Sequence, residues 1–253
     1  MLSRWPTRLW VVRHGESAGN VARDAAMAAR QARIALTHRD ADVGLSALGQ
    51  EQADTLGRWF AAMPEGERPD VLLVSPFVRA VQTAERIHAQ GGLAADVQGP
   101  LRDERLREKE FGVLDGLTRY GIEQVYPEQA EARRMLGKFY HRPPGGESWC
   151  DVILRLRSVL DTISLHHGGR RVLVVAHQVV VLCLRYLLED LDEAAILAID
   201  SEGDVANCSV TRYDFDESQG PSGRLVLRQY NFVAPLEREG TKVTVEPPPV
   251  AAR

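Results

Sequence analysis

Three short apolar runs, Leu9 to Val12, Val71 to Val74 and Val172 to Ala176, constrain this chain more than any other feature. Their unbroken hydrophobicity, rich in valine, suits strands buried on both faces, as in a parallel sheet covered by helices. Each run stops abruptly at polar chemistry. Arg13 and His14 follow the first, Ser75 with Arg79 close behind follow the second, and His177 follows the third.

The intervening segments read as helices. Ser46 is placed to cap a segment carrying Leu48, Leu56, Phe60 and Met63 on one face, with Pro64 as its stop. Ser148 and Asp151 form a capping-box pattern ahead of Val152, Leu156, Val159, Leu160 and Ile163, and Gly168 and Gly169 close that helix. Asn207 to Phe215 and Arg224 to Val233, separated by a Gly/Pro/Ser loop, predict a hairpin at a sheet edge. Alternating strands and helices give an α/β fold: a three-layer α/β/α sandwich around a mostly parallel, mixed central sheet. Residues 1–245 are expected to form a single domain, and 246–253, which hold three prolines, an unpacked, flexible tail.

Composition narrows the function classes. With 44% hydrophobic and 26% charged residues the chain has enough apolar surface for a core. A net charge of −4 argues against a nucleic-acid partner, which would favour a clustered basic surface. The apolar run near the N-terminus is too short for a signal peptide or a membrane span, so no membrane partner and a cytoplasmic location are expected. Cys150, Cys183 and Cys208 are odd in number and widely spaced, which fits neither a disulfide framework nor a zinc site. The exposed edge of the hairpin leaves room for a homodimer.

In open α/β sheets ligands bind beyond the carboxyl ends of the strands. That edge would gather two arginines and two histidines, and the guanidinium fork matches the oxygens of a phosphate monoester. A neutral imidazole can attack phosphorus, so His14 reads as the nucleophile, with Gly15 letting the backbone approach without a side chain in the way. Ser75 could cap the next helix with Pro76 at its first position, putting Arg79 in or just after the first turn; His177 likewise precedes a helix over Val179 to Leu188. The leaving alkoxide needs a proton from an acid of raised pKa. The stretch LRDERLREKEFG offers Asp103, Glu104, Glu108 and Glu110, and spacing does not choose among them.

These residues carry a resemblance. Arg13, His14, Gly15, Glu16 and Ser17, followed by Asn20, resemble the RHGES and N signature of the histidine phosphatase superfamily, phosphoglycerate mutase branch. SPFVRAVQTAE at 75 to 85 is similar to that family's second-arginine motif, and LREKEFGVLDG at 106 to 116 to its proton-donor motif. GGES at 145 to 148, VLVVAHQ and NCSVT match its pre-helix, second-histidine and closing-strand motifs, all in family order from residue 9 to about 213. Any one match alone would be weak; together they are specific.

The resemblance implies a phosphorylated His14, a phosphoryl group held by Arg13, Arg79 and His177, and Glu108 as proton donor and then as the base that activates water. Asn20 would contact phosphate, and no metal or organic cofactor is implied. Many relatives have Gly after the second histidine, whereas this chain has Gln178, whose amide could touch substrate or face solvent. The implied activity is hydrolysis of a small phosphate ester. A mutase retains its substrate instead of using water, and the family's mutases carry an ERHYG-like acid motif where this chain has REKEFGVLDGLTRYG. A non-catalytic phospholigand-binding module would be recognised by a missing nucleophile or acid, and neither is missing. Substrate identity would rest on two long insertions, 21–45 and 117–147, which are expected to form a lid.

Overall fold

The three apolar runs become neighbouring strands at the centre of one sheet. In the computed structural model, which describes residues 4–245, the strands are β1 (Arg8–Arg13), β2 (Val71–Val74), β3 (Leu101–Arg102), β4 (Arg171–Ala176), β5 (Val210–Asp216) and β6 (Arg224–Phe232). The tail expected at 246–253 lies outside the described residues. Their order is β3-β2-β4-β1-β5-β6. β3, β2, β4 and β1 run parallel, while β5 is antiparallel to both β1 and β6. The sheet is therefore mixed, with the expected hairpin as one edge. β3 gave no signal in the sequence because it is two exposed residues without an apolar run.

The helices are α1 (Ala18–Ala28), α2 (Ala47–Ala61), α3 (Val78–Ala89), α4 (Arg119–Val125), α5 (Pro127–Tyr140), α6 (Trp149–His166), α7 (Gln178–Leu188), α8 (Glu193–Glu202) and α9 (Ala234–Arg238). Successive side chains of a strand point to opposite faces, so each central strand feeds two cores. Leu9, Val11, Val172 and Val174 pack with Val152, Leu156 and Val159 of α6 and Val180, Val181 and Leu184 of α7. Trp10, Val12, Leu173 and Val175 pack on the other side with Ala53, Leu56 and Phe60 of α2 and Ala80, Ala84 and Ile87 of α3. This is the three-layer sandwich.

Local rules set the helix ends. The Ser46 hydroxyl accepts the Gly49 N–H and starts α2, and Ser148 with Asp151 forms the reciprocal capping box of α6. Such caps contribute about 0.5–2 kcal/mol each. Ser75 does not cap α3. The N-cap is Phe77, without a side-chain bond, and the Ser75 hydroxyl both bonds His177 at 2.7 Å and accepts the Phe77 N–H at 3.3 Å. Arg79 still falls in the first turn. All three cysteines are free, with Cys183 and Cys208 buried in the two cores. Among the described residues no helix is long and apolar enough to cross a membrane.

Candidate active site

Strand register assembles the site. Arg13 lies opposite Ala176, and Val74 opposite Val175, so β1, β2 and β4 end level with one another. The ladder continues one residue further: His14 N–H donates to the Ala176 carbonyl at 3.0 Å and Ser75 N–H to the Val175 carbonyl at 3.1 Å. His14, Ser75 and His177 therefore emerge side by side. The imidazole rings of His14 and His177 are 5.1 Å apart between centroids.

Arg13, His14, Arg79 and His177 are only 2%, 4%, 5% and 0% exposed. Burying this much cationic character is costly unless the groups are paired or their charge is suppressed. Burial first, then the Arg79 and Arg13 charges, hold the His14 imidazole well below its ordinary value of 6.5. His177 is held down in the same way by burial, Arg79, His14 and Arg13. Both rings are thus neutral bases.

The tautomer of His14 follows from its partners. Nδ1 donates to the Gly15 carbonyl at 2.7 Å, and Nε2 accepts from Arg79 Nε at 3.2 Å. The lone pair therefore sits on Nε2, facing the second arginine. His177 Nε2 bonds the Ser75 hydroxyl at 2.7 Å, while its buried Nδ1 has no partner among the described residues. A buried polar atom left unsatisfied inside a cationic pocket suits a ligand.

Several residues outside the expected set hold this arrangement. Asn207 Nδ2 donates to the His14 carbonyl at 3.0 Å, and Cys208 N–H to the Arg13 carbonyl at 3.0 Å from a turn in which Cys208 has φ +54°. The buried Thr83 hydroxyl accepts the Gly15 N–H at 3.1 Å and donates to the Arg79 carbonyl at 2.7 Å, linking the nucleophile loop to α3. Gly15 is needed for a reason the sequence did not reveal: a Cβ there would lie 2.4 Å from the Gly49 carbonyl oxygen of α2. The close approach is to a helix of the same chain. Arg13 Nη1 donates to the Val205 carbonyl.

The structure separates the four candidate acids. Asp103 is paired with Arg105, which holds its carboxyl below the usual range, and Glu104 is exposed. Glu110 is exposed, with Arg107 beside it at 3.8 Å. Glu108 lies in the field of Arg79, Arg13 and Arg155, and desolvation outweighs them and pushes its carboxyl up from 4.5. Its loop is pinned from behind by Glu147 of the GGES segment, which accepts from Glu110 N–H and from Arg155, while Arg155 also reaches the Glu108 carbonyl.

Asn20 and Gln178 are placed less directly. Asn20 Oδ1 accepts from Ser17 N–H and hydroxyl, so it completes the cap of α1. Gln178 Nε2 donates to Asp204, and its buried Oε1 has no partner among the described residues. The two insertions meet: Thr118 N–H donates to the Ala32 carbonyl, and Ile34 N–H to the Gly116 carbonyl. Beside the pocket, Asp40, Phe77, Lys109, Phe111 and Asp115 line a cavity of about 230 Å³. Lys109 is buried there against Phe111, and burial pushes its amine down to about 8. Among the described residues no set of three His, Cys, Asp or Glu side chains is arranged to hold a metal ion.

Known proteins resemble the chain over most of its length. Residues 9–227 match the model of the histidine phosphatase superfamily (branch 1). A probable phosphoglycerate mutase of Yersinia enterocolitica is 30% identical over 232 residues, 91% of this chain and 95% of its own. A probable fructose-2,6-bisphosphatase of Schizosaccharomyces pombe is 31% identical over 176 residues, 70% of this chain. The chain spans only 36% of that relative's length. A mycobacterial glucosyl-3-phosphoglycerate phosphatase, solved with inorganic phosphate, superposes with a TM-score of 0.68 at 26% identity, over 90% of this chain and 99% of its own. With the family model matched over residues 9–227, the chain belongs to branch 1 of the histidine phosphatase superfamily.

Proposed function

We propose that this chain is a metal-independent phosphatase that hydrolyses a small phosphate monoester through a phosphorylated His14. The observation that carries the reading is the tautomer of His14: Nδ1–H is tied to the Gly15 carbonyl and the Nε2 lone pair faces Arg79. A neutral, oriented imidazole in a cationic pocket is equipped for in-line attack on phosphorus once the Arg79 Nε–H passes from Nε2 to a phosphoryl oxygen.

In the first step Nε2 forms a bond to phosphorus as the ester P–O bond breaks, and Glu108 gives its proton to the leaving alkoxide. Arg13, Arg79 and the unpartnered Nδ1 of His177 hold the phosphoryl oxygens, with Asn20 and Gln178 beside them. In the second step the Glu108 carboxylate takes a proton from water, the hydroxide oxygen bonds to phosphorus, and the P–N bond breaks to release inorganic phosphate. Both residues return to their starting forms.

The order of the pKa shifts supports this assignment. At ordinary values a glutamic acid would lose its proton near 4.5, before a histidine became neutral near 6.5. Here Glu108 is raised and His14 is lowered, so both shifts move toward a protonated acid beside a neutral base.

The relatives are named for both hydrolysis and mutase-type transfer, and the two share the phosphohistidine step. Phosphate release from p-nitrophenyl phosphate, with chelator and no added metal, tests the proposal when intact protein is compared with His14→Ala. Turnover that vanishes in the variant is expected. Turnover that survives loss of His14 would overturn the mechanism, and an intact protein that passes phosphoryl groups only to a second sugar or acid ester would make it a mutase.

A further inference from the structure

The phosphate-binding fork of Arg79 is already filled by this chain's own acid. Arg79 Nη2 donates to the Asp40 carboxylate at 2.9 Å and Nη1 to the Asp40 main-chain carbonyl at 2.5 Å, while Nε is on His14. Phe77 covers one face of the guanidinium, 5.0 Å from its ring centroid. All three nitrogens therefore already donate within the chain, Nη1 and Nη2 both to oxygens of Asp40.

The two partners are not held equally. Arg79 sits in α3 with its own carbonyl tied to Thr83, and its side chain is 6% exposed. Asp40 opens a three-residue turn, Asp40–Asp42, that has no side-chain cap, and its side chain is 41% exposed at the cavity wall. When something must yield, Asp40 moves. Asp115 lines the same cavity, and the nearby Asp40 charge, after burial, helps to push its carboxyl up. A phosphate dianion entering this space would add to that repulsion and drive Asp40 off the fork.

Resting on the phosphatase reading above, we propose that Asp40 is a built-in competitor for the phosphoryl group. Its carboxylate leaves Arg79 when substrate enters and returns as inorganic phosphate departs. Asp40 thereby weakens product binding, keeps Arg79 aligned in the empty enzyme and sets how strongly phosphate inhibits turnover. It is a positioning residue, acting through Arg79.

The test is the affinity of inorganic phosphate for the unphosphorylated full chain, read by calorimetry and independent of turnover. Asp40→Ala should bind phosphate about tenfold more tightly than the intact protein, an effect of ~1.4 kcal/mol. Asp40→Asn, which can still accept weakly from Arg79, should fall between the two. Asp115→Asn is the control, since it removes a negative charge from the same cavity without touching the fork, and it should tighten binding far less. Melting curves establish that each variant is folded at the assay temperature; Asp40→Ala takes an ion-pair partner from the buried Arg79 and should lower Tm without unfolding the protein.

Phosphate inhibition of p-nitrophenyl phosphate turnover should strengthen in parallel in Asp40→Ala. Affinity that is unchanged or weaker in Asp40→Ala, or that tightens equally in Asp115→Asn, would overturn the gate while leaving a turning-over phosphatase intact. No phosphate binding by either the intact protein or Asp40→Ala would overturn the gate together with the phosphate reading of the pocket.

Discussion

Gly15→Ala should damage stability and chemistry together, because the nucleophile loop and α2 touch backbone to backbone. The added Cβ would meet the Gly49 carbonyl oxygen at 2.4 Å, with Gly49 C at 3.1 Å and Cα at 3.2 Å. Ordinary contact starts near 3.4 Å, so the loop and helix must part by about 1 Å. α2 cannot slide freely: Leu56 and Phe60 are fully buried, and its cap Ser46 donates to the Glu16 carboxylate at 2.6 Å. Overpacking of this kind costs ~1–3 kcal/mol, and a carbonyl cannot rotate away as a side chain could, which favours the upper end. For a chain of this size ~3 kcal/mol corresponds to a fall in Tm of about 6–12 °C. If the loop yields instead, a displacement of about 1 Å at the nucleophile lowers the rate by ~10²-fold. Thermal unfolding and kcat/KM for p-nitrophenyl phosphate read both effects. A variant that melts and turns over like the parent would refute the argument that this contact positions His14.

Two further outcomes follow from the same site. Glu147→Ala removes the partner of Arg155, which is itself only 10% exposed, and breaking such a pair costs ~3–5 kcal/mol; denaturant unfolding should show that loss, and kcat should fall as the Glu108 loop loosens. For an alkyl phosphate, kcat/KM should be bell-shaped in pH. Its acid limb should lie below 6.5, where the lowered His14 gains its proton, and its alkaline limb above 4.5, where the raised Glu108 loses its own. A rate flat from about pH 4 to about pH 8 would contradict both assignments.

The fold was legible where residues obey short-range rules. Three valine-rich runs and the Ser148/Asp151 box marked the central strands and the α6 start, because burial on two faces and a reciprocal cap leave patterns within a few residues. Arg13, His14, Arg79 and His177 were legible for the same reason, as the polar residues ending those runs or following close behind. Partnerships across the sheet were not. Nothing local to Ser75 shows that its hydroxyl meets His177, 102 residues later, or that Thr83 and Asn207 grip the nucleophile loop. The need for Gly15 was visible, but its cause, the carbonyl of Gly49, lies in another element. Glu108 could not be told from its acidic neighbours by spacing, since enclosure by Arg155, Glu147 and the two arginines of the pocket is a property of the fold. Asp40 sits in an insertion whose docking on Arg79 has no sequence signature.

If phosphate passes through His14, the phosphorylated protein can be trapped. p-Nitrophenolate leaves without needing a proton, so Glu108→Gln should still be phosphorylated by p-nitrophenyl phosphate while its attack by water is slowed. Alkaline quench followed by peptide mass spectrometry should find one phosphoryl group, acid-labile, on the peptide holding His14, and none in Glu108→Gln with His14→Ala. Phosphate on another residue, or release without any protein-bound phosphoryl group, would rule out His14 as the nucleophile.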